Sequence, residues 1–147
     1  MDPQQTLADV SAQVEWYGKL LKLAELQHTL VEQERTDDLL VVLDRRQKIV
    51  EQLTAIEHRL RPTKLGWHDI ATTLEATHRA ALESRFAEAR TLLAAITQAD
   101  QDDAMLLTQR KISVSQQLKQ ASSGRQMNQR YAANAYAGTG TRVNVSK

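Results

Sequence analysis

The chain has 147 residues, of which 41% are hydrophobic, 4% aromatic and 25% charged. This length fits one domain of ordinary size, and the absence of cysteine excludes disulfides, thiolate metal sites and a cysteine nucleophile. The formal net charge is only +1, yet residues 1–103 sum to −6, whereas residues 104–147 contain no acidic residue and sum to +7.

The sequence shows no targeting or membrane-spanning pattern. The first residues, MDPQQTLADV, have neither a basic region nor an apolar run, so we expect no signal peptide. The longest strongly apolar runs, such as LLVVL at 39–43, have five residues, whereas a bilayer span needs about 20. We therefore expect a soluble, cytoplasmic protein with no membrane insertion.

The first predicted helix begins at Asp2-Pro3, a capping residue followed by proline at the first helical position. Apolar positions then recur every three or four residues, which is typical of one helix face turned toward a partner helix. The stripe comprises Leu7, Val10, Val14, Tyr17, Leu21, Ala24, His28 and Val31.

A second stripe predicts another helix, which ends at Arg61-Pro62 because proline disfavours helix in the residue before it. Its members are Leu39, Val42, Arg46, Ile49, Leu53, Ile56 and Leu60. The polar segment EQERTDD at 32–38 separates the two stripes, and we predict a turn there, capped by Thr36 or Asp37. A single bent helix is the alternative.

A third stripe follows the linker PTKLG at 62–66. It consists of Trp67, Ile70, Leu74, Leu82, Phe86, Ala89, Leu93 and Ile96. The same register then reaches Asp100 and Asp103, which do not suit a buried seam, so QADQDDA is predicted to be a break, a kink or an exposed stretch. A weaker stripe of Leu107, Val114, Leu118 and Ala121 resumes as far as Ser122-Ser123-Gly124.

These patterns predict an all-α protein, because no window shows the sustained alternation of a strand. We expect an antiparallel bundle or coiled coil of three to four long helices, in which the first two meet through Leu21, His28, Ile49 and Leu53. Residues 1–123 are predicted to form the helical bundle domain. Residues 124–147, rich in Ala, Asn, Gly, Ser and Thr, are predicted to be a flexible tail that folds on binding.

No catalytic or cofactor motif is present: the sequence lacks a nucleophile elbow, a phosphate loop, a zinc signature and a dinucleotide fingerprint. Two Glu-x-x-His pairs, Glu25–His28 and Glu75–His78, have the spacing of di-iron helical bundles. The fourth helix of such a site would lie after residue 103, where the chain has no Asp or Glu. We therefore expect no enzyme, no cofactor and no metal, with a di-metal bundle as a remote alternative.

The basic C-terminal part is a candidate for nucleic-acid binding, but its seven charges are spread over 44 residues without a cluster. Its apolar residues fit protein binding better, because Met127, Tyr131 and Ala135 follow one another at intervals of four. This spacing is typical of a segment that becomes an ordered amphipathic helix on contact with a partner. We expect no nucleic-acid partner.

Much of the chain resembles the FlgN-like family of helical chaperones of the flagellar type III export system. The segment LLKLAELQHTLVEQERTDDLLVVLDRRQKIVEQLTAIEHRLRP at 20–62 is similar to the N-terminal half of that family. The segment LLAAITQADQDDAMLLTQRKISVSQQL at 92–118 resembles its last long helix, and NQRYAANAYAG fits its variable C-terminal region.

This resemblance implies a protein partner. Members of the family bind the terminal helices of hook–filament junction (hook-associated) proteins, keep them unassembled and deliver them to the export gate. Carried over here, the resemblance assigns client binding to about residues 107–136, and Tyr131 or Tyr136 to the gate. The implied contacts are Leu107, Val114, Leu118, Ala121, Met127, Tyr131 and Tyr136.

Two features of the C-terminal part depart from the family. The tail after Gly138 is no recognisable family feature, and the excess of basic residues indicates an acidic partner. A filament-cap-type export chaperone and a generic coiled-coil adaptor are the alternatives.

Overall fold

The computed structural model describes the backbone of residues 1–135 and the side chains of residues 1–113 and 115–120. Within this part of the chain, every regular element is a helix, which confirms the all-α prediction. The helices are α1 (Pro3–Glu32), α2 (Thr36–Leu65), α3 (Trp67–Thr73) and α4 (Ala76–Ala135). Three of the four are long, and α3 is a single short connection between α2 and α4.

Helix α1 begins as its sequence predicts. The Asp2 Oδ1 accepts a hydrogen bond of 3.0 Å from the backbone N–H of Gln4, and Pro3 is the first helical residue. The aspartate thereby satisfies one of the N–H groups that the first turn of a helix leaves without a partner.

A turn at residues 33–35 separates α1 from α2, so the chain forms two helices rather than one bent helix. Glu34 adopts the left-handed conformation with φ 57°. The backbone N–H groups of Glu34 and Arg35 donate to the carbonyls of Val31 and Leu30, at 3.2 and 3.0 Å. This pattern is a Schellman motif, which closes the C-terminus of α1.

The predicted cap of α2 is wrong. Thr36 is already the first helical residue, and the residue before it, Arg35, makes no side-chain capping hydrogen bond. Asp37 and Asp38 instead lie in the first turn, where their negative charges interact favourably with the helix dipole.

The predicted end of α2 at Arg61-Pro62 is also wrong, because α2 continues through Pro62 to Leu65. Proline removes one backbone donor, but the carbonyl of Pro62 still accepts a hydrogen bond of 3.1 Å from Gly66. Leu60 and Thr63 are buried on either side of it. Tertiary packing of this last turn therefore outweighs the local preference of the proline.

The third stripe is divided between two helices, because Leu74 is extended and separates α3 from α4. The ring of Trp67 in α3 meets the ring of Phe86 in α4 edge to face, with centroids 5.2 Å apart. Trp67 and Leu74 pack against the buried cluster of Val10, Ile56, Leu60, Leu82 and Phe86. The short helix thus covers one end of the core.

A second buried cluster, of Leu20, Ile49, Leu53 and Ile96, lies further along the same three helices. Because residue numbers rise along α1 and α4 but fall along α2 from the first cluster to the second, α2 is antiparallel to both. Ile49 and Leu53 meet α1 as predicted, with Leu21 partly buried beside them. His28, in contrast, contacts α4.

The chain divides into two compact units, Met1–Asp103 and Ala104–Lys147. The first contains the bundle of α1, α2, α3 and the beginning of α4. In the second, the structure describes residues 104–135, which are helical through Ser122, Ser123 and Gly124 as far as Ala135.

Candidate partner-binding site

The residues predicted to bind a partner lie on the second unit. Leu107 and Leu118 are on α4 and are 47% and 54% exposed. Val114, Ala121, Met127 and Tyr131 are also on α4, but their side chains lie outside the described residues, and Tyr136 lies outside them entirely. The structure therefore describes two of the predicted contact side chains, and both are exposed leucines.

Two further apolar residues of this segment were not predicted. Met105 and Ile112 are 62% and 55% exposed. At 3.6 residues per turn they lie on one side of α4, about 200° around the helix from Leu107 and Leu118. Their separation of seven residues is the sequence signal that would have identified them, since it brings two side chains to one side of a helix.

The charge of the segment has one sign. Arg110, Lys111 and Lys119 lie among the exposed apolar residues, and no acidic residue follows Asp103. A helix that combines exposed leucines with lysine and arginine suits a partner that offers apolar and acidic side chains together.

The end of the first unit contains a network of polar side chains that links three helices. This seam network consists of Gln27 and His28 on α1, Arg46 on α2, and Asp100 and Asp103 on α4. The sequence placed Asp100 and Asp103 in a break, a kink or an exposed stretch. In the structure α4 continues through both residues, and the side chain of Asp103 is only 2% exposed.

Each acidic group of the seam network has a cationic or amide partner. Asp103 lies 2.6 Å from the Nδ1 of His28 and accepts a hydrogen bond of 3.2 Å from Gln27. Arg46 donates to both carboxylate oxygens of Asp100 at 2.7 Å, and to the side-chain oxygen of Gln27. Such bidentate, charge-assisted pairs fix the relative position of two helices more strictly than apolar contacts do.

The pKa values of the basic groups follow from this geometry. The hydrogen bond with Asp103 raises the pKa of His28 above its ordinary value, and Glu32, 2.8 Å from the other ring nitrogen, raises it further. The hydrogen bonds with Asp100 raise the pKa of Arg46 in the same way. Both shifts favour the charged forms of His28 and Arg46.

A cavity of about 270 Å³ lies in the first unit, with Trp67 and Phe86 among its walls. Gln13 also lines it, and its buried Oε1 has no hydrogen-bond partner within the described residues. Burial, with the nearby charge of Glu57, raises the pKa of Tyr17, another wall residue. Among the described residues, the lining of this cavity includes no carboxylate and no histidine.

Glu57 lies beside this cavity and is held by two donors. Burial alone would raise the pKa of Glu57, but hydrogen bonds from Lys64 at 2.8 Å and Gln13 at 2.7 Å outweigh that effect and lower it. The carboxylate therefore stays charged and joins α1 to α2.

The described residues contain no group of three or more His, Asp or Glu side chains that could hold a metal ion. In the first Glu-x-x-His motif, Glu25–His28, the imidazole of His28 contacts the carboxylates of Asp103 and Glu32. The same part of the chain also has no helix with the length and apolarity needed to cross a membrane.

Comparison with known proteins gives no match: neither a family model, nor a curated protein, nor a solved structure matches this chain.

Proposed function

We propose that this protein is a cytoplasmic helical chaperone that binds an amphipathic helix of a client protein and keeps the client unassembled before export. The observation that supports this most strongly is the set of exposed apolar residues on α4 after Asp103. Leu107, Leu118, Met105 and Ile112 are each about half exposed or more, within a segment of only 14 residues from first to last. They form two patches on opposite sides of α4, and exposed apolar patches are typical of protein interaction sites.

The mechanism is reversible burial. A client helix that covers Leu107 and Leu118 removes from water the half of each side chain that is still exposed, worth roughly 1 kcal/mol per leucine. Part of this gain is spent on ordering the client helix, so the affinity stays moderate. Moderate affinity suits a chaperone, which has to release its client.

The resemblance to the FlgN-like family gives the proposal its specific form. The clients would be the terminal helices of hook-associated junction proteins, and the recipient would be a component of the type III export gate. Tyr131 or Tyr136 would make the contact with the gate. The basic residues Arg110, Lys111 and Lys119 favour client helices that carry Asp or Glu beside their apolar stripe.

The test is calorimetric titration of the full-length protein with a synthetic peptide of the terminal helix of a junction protein. We expect Leu107→Ala with Leu118→Ala to weaken binding by about 10-fold or more, since two contact side chains are lost. Leu65→Ala is the matched control, because Leu65 is an exposed leucine at the end of α2 in the first unit. Equal affinity for all three proteins would disprove the proposed site.

A coiled-coil adaptor is the second candidate, and the two opposite apolar sides of α4 favour it. Met105 with Ile112 could contact one helix while Leu107 with Leu118 contacts another. An adaptor requires both sides for its two partners, whereas a chaperone with a single client helix requires one. The variant Met105→Ala with Ile112→Ala should therefore abolish one of two interactions in an adaptor and leave the affinity of the junction peptide unchanged in a chaperone.

A further inference from the structure

A second surface, on the first unit, has the form of a basic groove with an apolar floor. The floor consists of Leu23 and Leu26 of α1 and Ile49 of α2. The rim consists of Lys19 and Lys22 on α1 and Arg45 and Lys48 on α2. We refer to these seven residues as the basic groove, whose volume is about 470 Å³.

The floor is open to contact although it continues the core. Leu26 is 43% exposed, and Leu23 is partly buried against the cluster that contains Leu20 and Ile49. An apolar side chain placed on this floor would extend an existing packed cluster. It would therefore gain contacts with side chains that are already fixed.

The positive charge of the rim is only partly neutralised. Within the described residues, Lys22 and Arg45 form no ion pair, while Lys48 lies 3.2 Å from Asp44. The Lys19 ammonium lies 4.7 Å from the ring centroid of Trp16. Four cations thus surround the floor, and among the residues that the structure describes only Lys48 has an acidic partner.

Leu26 and Lys48 of the basic groove lie on the side of α1 and α2 that faces away from α4, whereas Ile49 on its floor belongs to the cluster that includes Ile96 of α4. His28 and Arg46 contact α4 through Asp103 and Asp100. Leu26 precedes His28 by two residues and Lys48 follows Arg46 by two, which places each about 200° around its helix from the contact with α4. A helix laid in the groove would therefore add a fourth member to a bundle of three long helices.

We propose that the basic groove binds an acidic amphipathic helix of another protein. The apolar floor between two rows of cations matches a helix whose apolar stripe is flanked by Asp or Glu. The chain's own residues 104–147, with seven basic residues and no acidic one, have the wrong charge to fill the groove. This interface lies outside residues 107–136 and does not depend on the chaperone function proposed for them.

The experiment uses the full-length protein and two synthetic helical peptides of ~20 residues, long enough to span the groove. Both have leucine at every third or fourth position; one has glutamate at the flanking positions and the other lysine. We expect the acidic peptide to bind and the basic peptide not to bind. Duplex DNA and vesicles of phosphatidylserine with phosphatidylcholine test the other anionic surfaces.

The decisive variant is Lys22→Glu with Arg45→Glu, which reverses two exposed rim charges that form no ion pair with any described residue. It should weaken binding of the acidic peptide by about tenfold or more. Arg61→Glu with Arg90→Glu is the matched control, because it changes the net charge equally at two exposed positions outside the groove that form no ion pair within the described residues. Leu26→Ala should also weaken binding, and circular dichroism checks that each variant remains helical.

Three results would overturn the proposal. In the first, Leu107→Ala with Leu118→Ala changes the affinity of the acidic peptide, whereas Lys22→Glu with Arg45→Glu does not. This result would leave the chaperone proposal intact. The second is binding of DNA or vesicles through the rim in place of the peptide. The third is self-association of the chain that the rim variant abolishes, seen by analytical ultracentrifugation.

Discussion

The imidazole of His28 lies 2.6 Å from the carboxylate of Asp103, a residue whose side chain is only 2% exposed. The pair connects α1 to α4 at the last residue of the first compact unit. Because a buried carboxylate without partners is strongly unfavourable, the hydrogen bonds from His28 and Gln27 are what make an acidic residue acceptable at this position.

The first prediction concerns the pH dependence of stability. The hydrogen bond with Asp103 raises the pKa of His28 in the folded state above its unfolded value of about 6.5. Protonated His28 therefore stabilises the fold fully below that unfolded pKa, and this contribution is lost as the pH rises through the folded pKa. Thermal unfolding of the wild-type protein from about pH 6 to about pH 9 should show a falling Tm.

The control for this prediction is a pair of variants. His28→Gln should lose the fall in Tm over this range, whereas His58→Gln, at an exposed position of α2, should keep it. A wild-type Tm that stays constant or rises over the same range would show that His28 does not stabilise the fold through its charge.

The second prediction concerns the acidic partner. Asp103→Ala leaves the side chains of His28 and Gln27 without their shared acceptor, so we expect a loss of about 1–3 kcal/mol in the free energy of unfolding. Asp102→Ala, one residue earlier and exposed, should change that free energy by no more than about 0.5 kcal/mol. Urea denaturation of both variants measures the difference; equal losses would show that burial of Asp103 is unimportant.

The seam network also shows which buried residues the sequence can predict and which it cannot. The apolar stripes predicted three long helices and most of their buried residues, including Ile49, Leu53 and Phe86. The apolar stripe did not predict that Asp103 is buried, because a charged residue interrupts an apolar stripe unless its partners are known. Those partners are 75 and 76 residues away in the chain, and no local pattern reveals them.

The helix ends show a similar limit. Pro62 is a strong local signal for the end of a helix, yet packing of the neighbouring Leu60 and Thr63 carries α2 past it. Glu34 has the left-handed conformation that glycine usually adopts at the end of a helix. Because the chain has no glycine there, no residue at 32–38 indicated a Schellman motif. On the second unit, Leu107 and Leu118 were predicted to be contact residues because their spacing fits a single stripe, whereas Met105 and Ile112 lie on the opposite side.

The third prediction follows from the conformation of Glu34. A residue with a Cβ atom is strained at φ 57°, whereas glycine adopts this conformation freely. Glu34→Gly should therefore raise the free energy of unfolding by roughly 0.5–1 kcal/mol, after the entropy that glycine adds to the unfolded chain. Gln33→Gly, at φ −83°, should lower it instead, and urea denaturation distinguishes the two. Destabilisation by Glu34→Gly would contradict the assigned turn.

The fourth prediction concerns Gly18 in the middle of α1. A Cβ atom added at this position would meet no atom of the described residues within 4 Å, apart from the chain neighbours of Gly18 and the backbone of its own helix. Gly18→Ala should therefore stabilise the protein by up to about 1 kcal/mol, because alanine restricts the unfolded chain and favours helix. The measurement is the midpoint of thermal unfolding. A lower midpoint would indicate that the face of α1 around Gly18 is covered by another chain in solution.

The fifth prediction tests the proposed function by truncation after Ser122. Both buried clusters lie upstream of this residue, so the helical body should keep its thermal unfolding transition. Binding of a junction-protein peptide should nevertheless weaken, and Met127→Ala with Tyr131→Ala should reproduce part of that loss, since a buried anchor contributes roughly 1–2 kcal/mol.

Raising the salt concentration should reduce the affinity less than truncation does if apolar burial dominates. Binding to a nucleic acid would instead fall steeply with salt. Equal affinity of the truncated and full-length proteins in calorimetric titration would confine the client contacts to residues before Ser123, where Leu107 and Leu118 would then carry them.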